Sequence, residues 1–274
     1  MATRPLADNL LPGLDRVPKW FNDPTNYWGP FGLVIRIREH LIYTGIIMVI
    51  AILIALPIGL LVGHTGRGKI AVVGLANSLR AVPTLGFVIL LYILFSQTIT
   101  SQFEIPYVIE RGALGSFVAV MIVLVLLALP PILTNTYAGV QNVDPTVRDA
   151  AKGMGMTGFQ VVRQVEFPCA LPLILSGIRS ALLQVLATVT VAAFVPFLGG
   201  LGRFIKDGAA QLPDPQFGYP AMVSAGLVLA VLAVLLDSLL NLVQRLVVSP
   251  GISGRFSNEH TTSVTPQEAL LTTE

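Results

Sequence analysis

The sequence predicts an all-α protein, a polytopic bundle of membrane-spanning helices. Of its 274 residues, 54% are hydrophobic and only 12% are charged, whereas soluble globular domains carry about 25% charged residues. Five apolar stretches alternate with polar segments, and each is long enough to cross a hydrocarbon core that needs about 20 helical residues. The mean hydropathy of +0.76 agrees with both observations. We therefore expect lipid to be the solvent of much of the chain.

The first two apolar stretches differ in continuity. Residues 41–63 contain no charged residue and predict one uninterrupted span. Residues 70–95 are interrupted by Arg80 and Pro83, and because proline removes a backbone donor we expect a kink or a break there. Counting the two halves separately would give six spans instead of five.

The remaining three stretches complete the bundle. Residues 115–137, 171–198 and 219–246 each predict a span, and residues 141–166 between the first two of these form the most polar internal region. The predicted membrane domain therefore runs over residues 41–248.

The lysine and arginine residues of the short loops predict the orientation, because such residues are enriched on the cytoplasmic side. With five spans, the loops after the first, third and fifth spans lie on one side. Their cations are Arg67, Lys69, Arg148, Lys152, Arg163, Arg245 and Arg255. The opposite side also carries cations, because five precede residue 41 and two more follow the fourth span. An N-terminus outside the cytoplasm therefore runs against the enrichment of lysine and arginine on the cytoplasmic side.

The two ends of the chain are expected to lie outside the bundle. Residues 1–40 predict an interfacial or extracytoplasmic extension, in which residues 31–40 form an amphipathic interfacial helix. Trp20, Tyr27 and Trp28 are expected at headgroup depth. The first 30 residues contain no long apolar run, so we expect no cleavable signal peptide and insertion directed by the spans. Residues 249–274 predict a disordered cytoplasmic tail.

The polar region after the third span predicts a short helix. Asp144 is placed to cap its N-terminus, and Pro145 suits the first helical turn. Gly153 or Gly155 is expected to end it. A helix of this length is not stable alone, so it must pack on another part of the protein.

The same region carries a pattern that resembles the permeases of ABC importers. Those proteins have a cytoplasmic signature of the form EAA-x3-G-x9-I-x-L-P. In this chain, aspartate, valine and phenylalanine replace the glutamate, isoleucine and leucine of the signature. The matching residues are Asp149, Ala150, Ala151, Gly155, Val165, Phe167 and Pro168.

Further segments resemble the osmoprotectant branch of these type I (MetI-like) importers, over residues 40–245. They are HLIYTGIIMVIAILIALPIGLLVG, SLRAVPTLGF, FLGGLG and LVLAVLAVLLDSLL. The resemblance implies a type I ABC importer permease fold in the bacterial cytoplasmic (inner) membrane. It implies a compatible solute as cargo, such as glycine betaine, choline, carnitine or proline.

The resemblance also implies partners and a division of labour. The coupling loop at residues 141–168 would dock on a separate ATPase, which holds ATP and magnesium, while this chain binds no cofactor and catalyses nothing. A second permease copy, identical or paralogous, would complete the pathway within the lipid. An extracytoplasmic solute-binding protein would deliver the solute. Small side chains at Ala150 and Ala151 would permit close approach at the docking site.

One loop has the spacing of a phosphate-binding site but not its chemistry. Gly63 to Lys69 matches G-x4-G-K, yet Ile70 follows where a hydroxyl would bind magnesium. The loop also follows a membrane helix, not a strand. We expect no nucleotide to bind here, which places the ATPase on another polypeptide.

Other classes of site are disfavoured by composition. The chain has one cysteine and three widely separated histidines, so it predicts no metal site. A net charge of +2 gives no reason to expect a nucleic-acid partner.

Three charged residues fall well inside predicted spans, where charge is costly and usually functional. Asp237 in the fifth span and Arg80 in the second could form a pair, or each could lie near the interface, where arginine reaches water. For Arg179 in the fourth span, the interface is the favoured interpretation.

The outer end of the fourth span offers a second candidate part of the pathway. Glycines there could form a hinge or admit solute, and aromatic faces suit a quaternary ammonium, although a helix end and turn is the simpler interpretation. The pathway candidates are Arg80, Pro83, Phe194, Phe197, Gly199, Gly200, Gly202 and Asp237.

Two alternatives remain open from the sequence. One is an ATP-independent secondary transporter or channel, although we find no internal repeat and few paired intramembrane charges, which such transporters usually show. The other is an ABC permease for another small solute, such as an amino acid.

Overall fold

The computed structural model describes residues 14–98, 113–212 and 218–248. Over these residues the chain forms helices and no strands, which confirms the all-α prediction. The first 13 residues, most of the polar segment after the second span and the C-terminal tail lie outside the described residues. The helices are α1 (Val17–Asn22), α2 (Leu33–Thr65), α3 (Lys69–Ala81), α4 (Thr84–Thr98), α5 (Leu114–Gln141), α6 (Pro145–Gly153), α7 (Gly158–Val161), α8 (Phe167–Thr188), α9 (Gly202–Ala210) and α10 (Gly218–Val247).

Among the residues that the structure describes, four helical stretches are long and apolar enough to span a membrane. They are α2, α5, α10 and the continuous run from α7 through α8. The predicted break at Pro83 is confirmed, because α3 ends at Ala81 and α4 begins at Thr84. These helices have 13 and 15 residues, and at about 1.5 Å per residue neither alone covers a 30 Å hydrocarbon core. Their short lengths argue against counting α3 and α4 as two full spans.

Helix α5 is the centre of the bundle and packs against α2, α3, α4 and α8. The close contact with α2 is explained by small residues at every fourth position, Ala51, Ala55, Gly59 and Gly63, along one face of α2. A Cβ atom at Gly59 would lie 2.7 Å from Cβ of Thr136. Small residues thus allow the two backbones to approach closely, as is usual where helices associate in lipid.

The N-terminal segment differs from the expectation in two ways. Residues 33–40 form the first turns of α2 and not a separate interfacial helix, because Arg36 and His40 are buried against the end of the fourth span. The Trp20 side chain is not exposed but is buried with Leu33. Its ring meets the ring of Phe204 edge-on at a centroid distance of 5.6 Å.

The fourth span ends earlier than predicted. Helix α8 stops at Thr188 and continues as a 3-10 segment, Val189–Phe194, instead of running to residue 198. Val195 is extended, with φ −92° and ψ 138°, since a residue that precedes proline is disfavoured in the α conformation and Pro196 follows. The chain then turns back through α9 into α10.

Candidate functional site

The start and end of helix α6 match the sequence prediction. The Oδ1 atom of Asp144 accepts hydrogen bonds from the backbone N–H and the hydroxyl of Thr146, at 2.9 and 2.8 Å. Pro145 occupies the first turn, and the helix ends at Gly153. Gly155 then adopts a φ of +84°, which favours glycine. The loop is therefore an ordered helix with a defined turn.

The two alanines of the signature face opposite ways. Ala151 is 2% exposed and packs inside the protein, whereas Ala150 is exposed. The side chain of Asp149 is also exposed and lies 3.9 Å from Lys152. Of these two alanines, only Ala150 is exposed for close approach by a partner, so the two have different roles.

Large apolar side chains stand exposed around this loop. Met154 is 72% exposed and Phe159 is 73% exposed, and Val147 on α6 is exposed as well. These residues belong to the polar connection between α5 and α8. An exposed apolar cluster with a polar rim is typical of a protein-binding surface. We call Val147, Met154 and Phe159 the loop apolar cluster.

Helix α7 was missed by the sequence analysis, although its signal is present. The Thr157 N–H donates to Oε1 of Gln160 at 2.7 Å, and the Gln160 N–H donates to Oγ1 of Thr157 at 3.4 Å. This is a capping box, and its pattern, a threonine followed three residues later by a glutamine, can be read from the sequence.

The second half of the signature forms a π-helical turn, from Val162 to Glu166, that leads into α8. Pro168 has no N–H to donate to the carbonyl of Gln164, and π-helical turns arise where the regular bonding pattern is interrupted. Val165, Phe167 and Pro168 are half-buried along the connection. The signature residues therefore shape the entry to α8.

The π-helical turn places Glu166 inside the protein, and the sequence analysis did not identify this residue. Its side chain is 1% exposed, and Oε2 lies 2.8 Å from Nδ1 of His64 at the end of α2. Its Oε1 lies 3.1 Å from Nε of Arg148 on α6. The Arg148 guanidinium also donates to the carbonyl of Val140 on α5. We call His64, Arg148 and Glu166 the Glu166 cluster; it joins α2, α6 and the turn before α8.

Within the bundle, Arg179 on α8 pairs with Asp237 on α10. One guanidinium nitrogen lies 2.6 Å from Oδ2 of Asp237, Nε also donates to Oδ1, and another nitrogen donates to Asn241 at 2.7 Å. Arg179 lies 12 residues into α8, about 18 Å along the axis, and its position at the interface stays a prediction. Asp237 has a partner other than the proposed Arg80, whose side chain lies outside the described part.

The glycine-rich segment at the other end of α8 packs against α2. The Gly200 N–H donates to Oε2 of Glu39 at 2.7 Å, and the same oxygen accepts from Arg36 at 2.9 Å. A Cβ atom at Gly199 would collide with the Glu39 carboxylate, and one at Gly202 would collide with the Thr190 carbonyl. These contacts give the glycines a packing role, and their role in a pathway stays a prediction.

Two aromatic candidates for the pathway precede the glycine-rich segment. Phe194 and Phe197 are about half-exposed, and Phe197 adopts a φ of +67°, which is unusual for a residue with a side chain.

Nearby, His40 is buried and its Nε2 lies 2.8 Å from the Leu186 carbonyl. Because a carbonyl can only accept, Nε2 carries the proton. No sequence pattern predicts this contact.

One face of α8 is unusual for a membrane helix. Within α8, which is described along its full length, the exposed residues are Ser176, Ser180 and Ala187. Gln184 lies on the same face and Arg179 lies at its flank. By contrast, the exposed faces of α2 and α10 carry leucine, isoleucine and valine. We call Ser176, Ser180, Gln184 and Ala187 the α8 polar face; it is suited to water or another protein and not to lipid.

Comparison with known proteins adds relatives of stated function. The chain is 31% identical over 222 residues to the glycine betaine/carnitine/choline transport system permease protein OpuCB of Bacillus subtilis, covering 81% of this chain and 91% of that protein. It is 31% identical to the osmoprotectant import permease protein OsmW of Salmonella typhimurium, covering 78% and 91%. A carnitine transport permease protein of Listeria monocytogenes is 32% identical, covering 76% and 82%.

Solved structures share the fold. The MetNI methionine ABC transporter in inward-facing conformations aligns with a TM-score of 0.63 and 19% identity, covering 79% of this chain and 96% of that chain. An amino acid ABC transporter aligns with a TM-score of 0.57 and 20% identity, covering 89% and 99%. These similarities confirm the expected type I importer permease fold.

The family model that matches is described as the binding-protein-dependent transport system inner membrane component. It covers residues 52–249, which is more than half of the chain and includes α5, α6, α8 and α10. The predicted multi-pass location in the inner membrane is confirmed with it. This protein therefore belongs to the family of binding-protein-dependent transport system inner membrane components.

Proposed function

We propose that this chain is the translocation subunit of an ATP-driven importer for a compatible solute such as glycine betaine, choline, carnitine or proline. The family supports the import role, and the relatives of stated substrate support this class of solute. The chain contributes a pathway and a docking loop, and it catalyses no reaction. ATP and magnesium are held by a separate ATPase.

The observation that carries this proposal is the loop apolar cluster beside a well-formed α6. Val147, Met154 and Phe159 are exposed, and so is Ala150, whose small side chain permits close approach by a partner. A protein partner that covers this surface would remove its apolar area from water. Docking here would transmit the closure of the ATPase pair to the spans, because a ligand shifts a conformational equilibrium through differential contacts.

The α8 polar face suggests where the solute crosses. Its hydroxyl and amide groups lie at membrane depth, and a second permease copy facing it, identical or paralogous, would enclose a polar pathway. Bacillus subtilis has two relatives that are both named choline transport system permease protein, which supports a paralogous pair as one arrangement. Further proposed pathway or gating positions are Phe194, Phe197, Pro83 and the glycine segment at 199–202.

Reconstitution tests the proposal directly. The chain is purified with a candidate ATPase and placed in proteoliposomes with a solute-binding protein. We expect uptake of radiolabelled glycine betaine, choline, carnitine or proline that depends on both ATP and the binding protein. Uptake by the chain alone without ATP would instead show a secondary transporter, and ATP-dependent uptake of a different solute would refute only the substrate class.

The docking site has its own test within the same system. Replacing Phe159 with aspartate should abolish co-purification of the ATPase, because a charge would replace the exposed apolar contact. Trp28 is exposed to a similar extent at the opposite end of the bundle, so W28D is the matched control and should leave the ATPase bound. Retention of the ATPase by F159D would contradict docking at this cluster.

A further inference from the structure

The Glu166 cluster concentrates charge at the point where the docking loop meets the bundle. A carboxylate with 1% exposure needs compensation, because a buried charge without partners is strongly unfavourable. Both compensating groups come from other elements: His64 ends α2, and Arg148 lies on α6. The carboxylate therefore holds together parts of the chain that are 18 and 102 residues away in sequence.

The surroundings of the cluster extend these links to the central helix. Arg148 donates to the Val140 carbonyl in the last turn of α5, where helix carbonyls lack intrahelical partners. One residue later, the Gln141 amide donates to the Gly63 carbonyl of α2 at 2.6 Å. Arg148 thus links helix α6 to the bundle, and Ala151 is buried beside these contacts.

We propose that Glu166 is a positioning residue that sets the orientation of α6 relative to α2 and α8. Through this orientation, movement of the ATPase reaches the spans, a consequence that rests on the proposed function. A short helix that made only apolar contacts could roll or slide when pushed. In the Glu166 cluster, Arg148 of α6 contacts Glu166 in the turn before α8, and Glu166 also contacts His64 at the end of α2. A displacement of α6 therefore also displaces the ends of α2 and α8.

A distance measurement on the permease tests the positioning without any ATPase. Spin labels are attached in a C169A background through L61C and K152C, whose native side chains are exposed, in the full chain in lipid nanodiscs. We expect E166A and R148M to broaden the distribution of distances between α2 and α6. D149N is the matched control, because it removes an exposed acidic charge next to Arg148. The partner of Asp149, Lys152, is already replaced in K152C, so D149N should leave the distance distribution unchanged. An unchanged distribution in E166A and R148M would overturn the proposal.

A second measurement separates transmission from simple folding. In the reconstituted importer, E166Q keeps the shape of the side chain but removes its charge. We expect uptake to fall on the order of tenfold, within the usual range of coupling between sites, while ATP hydrolysis and the yield of assembled complex stay near wild type. Equal losses of uptake, hydrolysis and yield would show a merely structural role and refute transmission. Absence of any bound ATPase on the unmodified chain would refute the proposed function, while the spin-label result would stand.

Discussion

Arg179 on α8 donates hydrogen bonds from two guanidinium nitrogens to Asp237 on α10. Its third nitrogen donates to Asn241, one turn later on α10. This is the main polar contact between α8 and the last span. Much of the rest of α10 is exposed apolar surface. The pair therefore adds a polar attachment of α10 to α8, beside the packing of α10 on α9 and α1.

The first prediction concerns the strength of that pair. R179M and D237L should each destabilise the protein, and a double-mutant cycle should give a coupling energy of about 1–2 kcal/mol, the upper range for polar contacts between membrane helices. Thermal unfolding in lipid nanodiscs measures all four proteins of the cycle. Additive effects of the two substitutions would contradict a direct interaction.

The second prediction uses the opposite orientations of the two signature alanines. A151L should lower the unfolding free energy by about 1–3 kcal/mol, because it overpacks a filled site. A150L should leave stability unchanged but weaken binding of the ATPase, since its side chain points outward. Thermal unfolding and ATPase co-purification measured on both variants separate the two roles. Loss of stability in A150L, or none in A151L, would contradict the assignment.

The third prediction concerns the glycine segment packed on α2. G199A should destabilise the protein by more than about 1 kcal/mol, since an added Cβ collides with the Glu39 carboxylate and displaces it from Arg36 and Gly200. G226A on α10 is the control, because nothing lies within 4 Å of its Cβ. The control should be neutral or stabilising by up to about 1 kcal/mol, as expected for an exposed helical glycine replaced by alanine. Equal stability of the two variants would refute the packing role.

Features set by local chemistry could be predicted from the sequence. The break at Pro83, the cap at Asp144 and the turn at Gly155 each depend on one residue and its immediate neighbours. The apolar stretches likewise predicted the long helices, because a span needs about 20 consecutive apolar residues.

Features set by distant contacts could not be predicted. Glu166 occupies the variable position between Val165 and Phe167 of the signature, and only the π-helical turn places it inside the protein. The partner of Asp237 was equally ambiguous: two arginines lay in predicted spans, and sequence spacing does not say which helices are neighbours. The N-terminal segment was assigned to the interface because Trp20 and Tyr27 are typical of headgroup depth, yet Trp20 is buried by contacts from α2 and from the segment around α9.

The last prediction concerns the α8 polar face as the route of the solute. S180L should reduce uptake on the order of tenfold while assembly with the ATPase is kept, because a leucine would narrow and dry a polar pathway without touching the bundle interior. V231L adds similar bulk on the exposed face of α10 and should leave uptake unchanged, since lipid accommodates it. Uptake by reconstituted importers, normalised to assembled complex, measures both variants. If S180L transported as well as V231L, the solute would have to cross elsewhere, and the hydroxyls of α8 would serve only to bond their own helix, as Ser180 does with the Ser176 carbonyl at 3.0 Å.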